Sequence, residues 1–224
     1  MKLAGRILVV NYQNLINMYT HSKQVITAGK PLAEADKVVI MIHGRGARAE
    51  NIISLVQHLN LSDAAVLAPQ ATNFSWYPYS FLAPEQENQP ALDSALEQIG
   101  SIIKDLQMQE FSSEKIYLLG FSQGACLSLE YAARNAARYG GIIAFTGGLI
   151  GEALNLKSYQ GDFLQTPVLV TTGDPDMHVP LTRVEESVAI LSNMGAVVNQ
   201  RVYKRREHTI SQEEIELANQ LIFV

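Results

Sequence analysis

Apolar residues fall along this chain in short solid runs, separated by stretches in which they recur at helical spacing. Val38-Val39-Ile40-Met41-Ile42 is a dense run without polar alternation that stops at His43-Gly44, and so reads as a strand buried on both faces. Residues 49–59 follow as a helix with Ile52, Ile53, Val56 and Leu59 on one side. Residues 64–68 read as the next strand, stopped by Pro69. Residues 91–108 carry Leu92, Ala95, Leu96, Ile99, Ile102, Ile103 and Leu106 at the period of an amphipathic helix. The alternation continues through strand 116–119, helix 123–138, strands 142–145 and 168–171, helix 181–193, strand 197–203 and helix 212–222. Ser211 with Glu214 three residues later is a capping box that opens the last helix. Residues 23–27 read as an edge strand turning through Gly29-Lys30-Pro31.

Val- and Ile-rich strands alternating with helices predict an α/β fold, with a mainly parallel central sheet covered by helices on both faces. Ligands of such sheets bind beyond the carboxyl ends of the strands, so the residues standing there are the candidates for chemistry. No repeat, low-complexity tract or linker divides the chain. Residues 21–224 are therefore expected to form one domain, with 1–20 as a peripheral extension and Met18 as an alternative start. No insertion between the core elements is long enough for a large lid.

At the end of strand 116–119 stands Gly120-Phe121-Ser122-Gln123-Gly124, a G-x-S-x-G sequence. A serine on a sharp strand-to-helix turn needs small residues two before and two after it for the turn to close, and glycine meets that need at both places. The Ala-rich helix that follows packs closely on a sheet and directs the partial positive charge of its N-terminus toward the serine oxygen. Ser122 is thus the candidate nucleophile. Cys126, on that helix, reads as a small buried packing residue.

A serine nucleophile needs a histidine to take its proton and a carboxylate to orient the histidine, in the chain order Ser, Asp or Glu, His for this arrangement of elements. His178 and His208 are the histidines after Ser122. His208 follows strand 197–203 and precedes the capped last helix, which makes it the better base; His178 reads as a surface residue. The acid falls in Gly173-Asp174-Pro175-Asp176-Met177-His178-Val179-Pro180, where Asp174 and Asp176 both qualify by position. Asp-Pro favours turn formation, which tips the choice slightly to Asp176. Two N–H donors must receive the oxyanion of an acyl-transfer intermediate. Gln123, next after the nucleophile, supplies one, and the Arg45 amide within His43-Gly44-Arg45-Gly46-Ala47 supplies the other. His43 reads as a structural hydrogen-bonding residue. The Arg45 side chain either binds a substrate carboxylate or extends into water.

Phe74-Ser75-Trp76-Tyr77-Pro78-Tyr79-Ser80-Phe81 holds the single Trp and follows strand 64–68, at the active end of the sheet. Trp76 and Tyr77 are expected to wall the substrate pocket. Gly147-Gly148-Leu149-Ile150 is a further candidate rim.

Composition removes alternatives. A formal net charge of −5 argues against a nucleic-acid partner, and Lys204-Arg205-Arg206 is too short a basic cluster to change that. No apolar stretch approaches the roughly 18 residues needed to span a membrane. The one cysteine excludes an intrachain disulfide and fits a reducing cytoplasm, the expected location.

His43-Gly44-Arg45-Gly46, Ala68-Pro69-Gln70, Gly120 to Gly124, Gly173 through Asp176 to Val179-Pro180, and His208 together resemble the phospholipase/carboxylesterase group of α/β hydrolases, which includes acyl-protein thioesterases and small bacterial carboxylesterases. The resemblance covers about residues 35–220 and implies the α/β-hydrolase fold. It also implies Asp176 as the acid, because the group's acid lies three residues before Val-Pro. The Arg45 and Gln123 amides are implied as the oxyanion hole, with no metal and no organic cofactor. The early loop departs from the acyl-protein thioesterases, which usually carry an apolar residue between the glycines and an Asp after them. Arg45 and Ala47 make this chain look closer to bacterial relatives with the Arg form and a Trp-Tyr-Pro segment. The function expected is hydrolysis of a small or medium soluble ester or thioester through an acyl-enzyme. An acyltransferase with the same triad and a non-catalytic binding protein on this scaffold are the alternatives, and a homodimer is left open.

Overall fold

The computed structural model describes residues 20–224. The expected extension and the alternative start at Met18 lie outside the described residues, Thr20 excepted. Seven strands form one sheet: β1 (Val25–Gly29), β2 (Lys37–Ile42), β3 (Ala64–Pro69), β4 (Ile116–Phe121), β5 (Gly141–Phe145), β6 (Pro167–Asp174) and β7 (Val197–Lys204). Their spatial order is β1-β3-β2-β4-β5-β6-β7, with β1 antiparallel to β3 and the other pairings parallel.

Alternate residues of each strand supply two separate cores, because successive side chains point to opposite faces. Val38, Ile40, Ile42, Leu118, Ile142, Ala144, Val168 and Val170 belong to one. Against them pack α2 (Ala91–Met108), α3 (Gln123–Arg134) and α4 (Leu181–Asn193). Val39, Met41, Val66, Leu119, Ile143 and Leu169 belong to the other, under α1 (Ala49–Ile53) and α5 (Gln212–Leu221). Full burial of each Val, Leu or Ile side chain contributes roughly 1.5–3 kcal/mol, so the central strands can dispense with polar alternation. β7 differs. It lies at the sheet edge with much of its length exposed, and Arg201 and Lys204 leave it unsuited to pairing with another strand.

Two expected helices are shorter than their apolar period. The helix of 49–59 becomes 3₁₀ from Ser54 to His58. The helix from 123 stops at Arg134 rather than 138, because Ala136 leaves it to donate to the carbonyl of Gln160 at 2.9 Å and to form a bridge with Gly161. The capping box at Ser211 and Glu214 is present in both directions. No helix among the described residues is long and apolar enough to cross a membrane.

Candidate active site

The turn from β4 into α3 presents Ser122 at φ 54° and ψ −118°, a backbone conformation costly for a residue with a β-carbon. Its N–H donates to the Phe145 carbonyl at the end of β5 (3.0 Å), and its carbonyl accepts from Cys126 (3.0 Å). Contact explains the flanking glycines. A β-carbon on Gly120 would stand 2.2 Å from the Gly124 oxygen, and one on Gly124 would stand 2.1 Å from the Ile42 oxygen.

His208 lies on the loop between β7 and α5 with its side chain 18% exposed. Its Nε2 is 2.8 Å from Ser122 Oγ and its Nδ1 is 2.8 Å from Asp176 Oδ2. The tautomer with the proton on Nδ1 satisfies both contacts, donating to the carboxylate and accepting from the hydroxyl. The Asp176 carboxylate is fully buried, and its other oxygen accepts the backbone N–H groups of His178 (2.8 Å) and Val179 (2.9 Å). Burial by itself would raise the Asp176 pKa. The hydrogen bonds from His208 and from those two amides outweigh it and hold the carboxyl below its ordinary value. Asp174 is instead the exposed last residue of β6, and its carbonyl accepts from Arg205 N–H at 2.9 Å.

Gln123 is the first residue of α3, where a helix leaves N–H groups without intrahelical acceptors. Arg45, Ser122 and Gln123 line one cavity of about 560 Å³, together with Tyr77, Phe81, Phe121, Cys126 and Val179. The loop bearing Arg45 is fastened at Gly46, whose N–H donates to the Phe74 carbonyl at 2.7 Å. The Arg45 guanidinium belongs to an exposed residue at the cavity and also has protein partners. It bonds Ser75 Oγ (2.9 Å) and the carbonyls of Pro78 (2.8 Å) and Tyr79, and so pins the aromatic loop over the site.

Trp76 is completely buried and is absent from the cavity wall, contrary to expectation. Its indole N–H donates to the His43 carbonyl (2.9 Å), which makes it a support behind the wall. Tyr77 does line the cavity, though just 1% of it is exposed. The Gln123 side chain clamps both residues, accepting from Trp76 N–H (2.9 Å) and donating to the Tyr77 carbonyl (2.8 Å). The sequence points only to a backbone role for Gln123, since no spacing rule reveals a contact over more than forty positions. The stretch 147–150 is buried and does not form the rim. His178 is exposed, yet it lines the cavity and meets the His208 ring edge-on at 4.9 Å.

His43 is buried, with Nδ1 on the Gly44 carbonyl (2.8 Å) and Nε2 accepting from Ala71 N–H (3.1 Å). Burial lowers its pKa and favours the neutral ring. Burial pushes the Cys126 thiol up to about 12, so it is no nucleophile at neutral pH. Among the described residues no group of His, Cys, Asp and Glu side chains is arranged to hold a metal ion.

The phospholipase/carboxylesterase family model matches residues 22–223. A probable carboxylesterase SOBER1-like of Arabidopsis thaliana is 25% identical over 147 residues, which are 63% of this chain and 55% of that protein. Acyl-protein thioesterase 1 homolog 1 of Dictyostelium discoideum is 30% identical over 157 residues, 66% of each chain. The chain thus spans between about half and two thirds of these two relatives. The crystal structure of a phospholipase/carboxylesterase from Dyadobacter fermentans DSM 18053 superimposes with a TM-score of 0.91 at 59% identity, covering 92% of this chain and 99% of that one.

Proposed function

The chain belongs to the phospholipase/carboxylesterase family, and from that premise we propose that it is a serine esterase or thioesterase working through an acyl-enzyme. One observation carries the reading: an unbroken hydrogen-bonded relay from a buried carboxylate through His208 to Ser122 at a cavity of about 560 Å³. His208 Nε2 takes the Ser122 proton as Oγ attacks the acyl carbon, and Asp176 stabilises the resulting imidazolium. The backbone N–H groups of Arg45 and Gln123 receive the oxyanion. Nε2–H then protonates the leaving alkoxide or thiolate. In the second half-reaction the same ring deprotonates water, which releases the acid and frees Ser122.

The substrate is a small or medium acyl ester or thioester, held against Tyr77, Phe81 and Val179. Ser122→Ala should lower p-nitrophenyl butyrate turnover by about 10³-fold or more. A fluorophosphonate should label wild type at Ser122 and leave the variant unlabelled. Full esterase activity in folded Ser122→Ala protein would overturn the reading.

A further inference from the structure

The base loop holds a buried ion pair that the relay does not use. Arg206, two residues before His208, has a side chain 9% exposed, and its Nη1 is 2.7 Å from Oε2 of fully buried Glu214. Glu214 was legible in the sequence only as a helix cap. Its Oε2 also accepts Ser211 N–H (2.8 Å) and Ser211 O–H (2.9 Å), and its Oε1 accepts the hydroxyl of Thr171 on β6. Arg206 Nη1 also donates to the Thr209 carbonyl, on the far side of His208 in the chain. Nη2 donates to Thr146 Oγ1 at 2.7 Å.

Thr146 is the next residue after Phe145, and Phe145 O accepts the N–H of Ser122 at 3.0 Å. Nucleophile and base are thus referred to the same dipeptide at the end of β5, one through a backbone amide and the other through the Arg206 guanidinium. Thr146 is held in turn, its N–H donating to the Thr171 carbonyl at 2.8 Å. We propose that Arg206 is a positioning residue that sets the Ser122–His208 distance, by tying the base loop to the Phe145-Thr146 step and to Glu214.

The proposal rests on the serine-hydrolase reading and acts through His208 rather than on substrate. A buried arginine that merely stabilised the fold would lower the melting temperature and leave the chemistry of the folded fraction alone. Arg206→Met, assayed well below its melting temperature, should lose kcat by about 10²-fold with KM within threefold, since small misplacements of a reacting group cost that much. Fluorophosphonate labelling should slow in parallel. The low-field proton signal of the His208 Nδ1–H···Asp176 bond should broaden or vanish.

Thr146→Ala decides the matter if Arg206→Met fails to fold. Thr146 sits at φ 58°, so alanine adds no backbone strain while removing the guanidinium's anchor. It should lose kcat about tenfold, the equivalent of one hydrogen bond at the site, and Thr146→Ser should recover to within twofold of wild type. Folded Arg206→Met or Thr146→Ala with wild-type kcat and labelling rate would overturn the proposal, as would a Thr146→Ser variant as impaired as the alanine one. The proton signal separates this failure from that of the wider reading. It reports loop geometry without substrate, whereas inactive wild type that no fluorophosphonate labels would sink the hydrolase assignment itself.

Discussion

His43-Gly44-Arg45 beyond β2 and Arg206-Glu207-His208 beyond β7 are near mirror images: a histidine and an arginine two residues apart, each pair past the carboxyl end of a strand. Their surroundings divide them. The His43 ring is buried with both nitrogens committed to backbone groups, while the His208 ring keeps one edge toward the cavity and meets a carboxylate and a hydroxyl. The arginines diverge in the opposite sense. Arg45 is exposed and reaches outward to hold the aromatic loop, whereas Arg206, with its side chain 9% exposed, reaches inward to Thr146 and Glu214. A strand-end position therefore does not by itself make a histidine a candidate base. What counts is whether its second nitrogen faces a group whose proton can move.

The largest effect that tests this contrast comes from exchanging alanine into the two histidines. His208→Ala should lower kcat for p-nitrophenyl butyrate by about 10³–10⁴-fold with little change in melting temperature. His43→Ala should do the reverse. It leaves Ala71 N–H without its acceptor and opens space beneath Trp76, costing about 2–4 kcal/mol in urea unfolding, while kcat of the folded enzyme stays within about tenfold. Equal losses of kcat in the two variants would erase the distinction.

Arg45→Ala should act on binding. It keeps the residue-45 amide but frees the loop of residues 75–79, so KM should rise about three- to tenfold with kcat changed by less than about threefold. A collapse of kcat with unchanged KM would mean that the guanidinium takes part in the chemistry.

The smallest effect is on stability against pH. The His43 pKa is lowered by burial, and that of His21 likewise, so each ring is neutral in the fold while the unfolded chain takes up protons first. Their contribution is present above the unfolded value of about 6.5 and declines as pH falls from there toward the folded values. The urea midpoint should drop between pH 7.5 and 5.5, less steeply in His43→Gln. Asp176 enters later, because its pKa is also lowered. Its stabilising share is present above the unfolded value of about 3.9 and is lost as pH falls through the folded one, so Asp176→Asn should flatten only that acid limb.

Much of the fold was legible because burial on both sheet faces leaves solid apolar runs, and helix 91–108 begins and ends where its period does. The apolar period predicts a helix to 138 because Ala136 and Ala137 continue the spacing of Ala132 and Ala133 beyond Arg134, where the backbone leaves for Gln160. Trp76 stands behind the cavity wall rather than in it, a difference with a related reason. Aromatic density marks a loop near the pocket but cannot say which ring faces the cavity and which faces His43.

The order of elements and the turn that carries Ser122 follow from local periodicity and from the space that glycine leaves. Chain order also narrows the candidate base and acid to the loops after β7 and β6. How these parts meet belongs to the tertiary structure. It turned Arg45 toward the carbonyls of 78 and 79, joined Arg206 to Thr146 across 60 positions, and set His208 within 2.8 Å of both partners. Side-chain hydrogen bonds between distant strand ends depend on the twist and register of the whole sheet, and no stretch of chain carries that information alone.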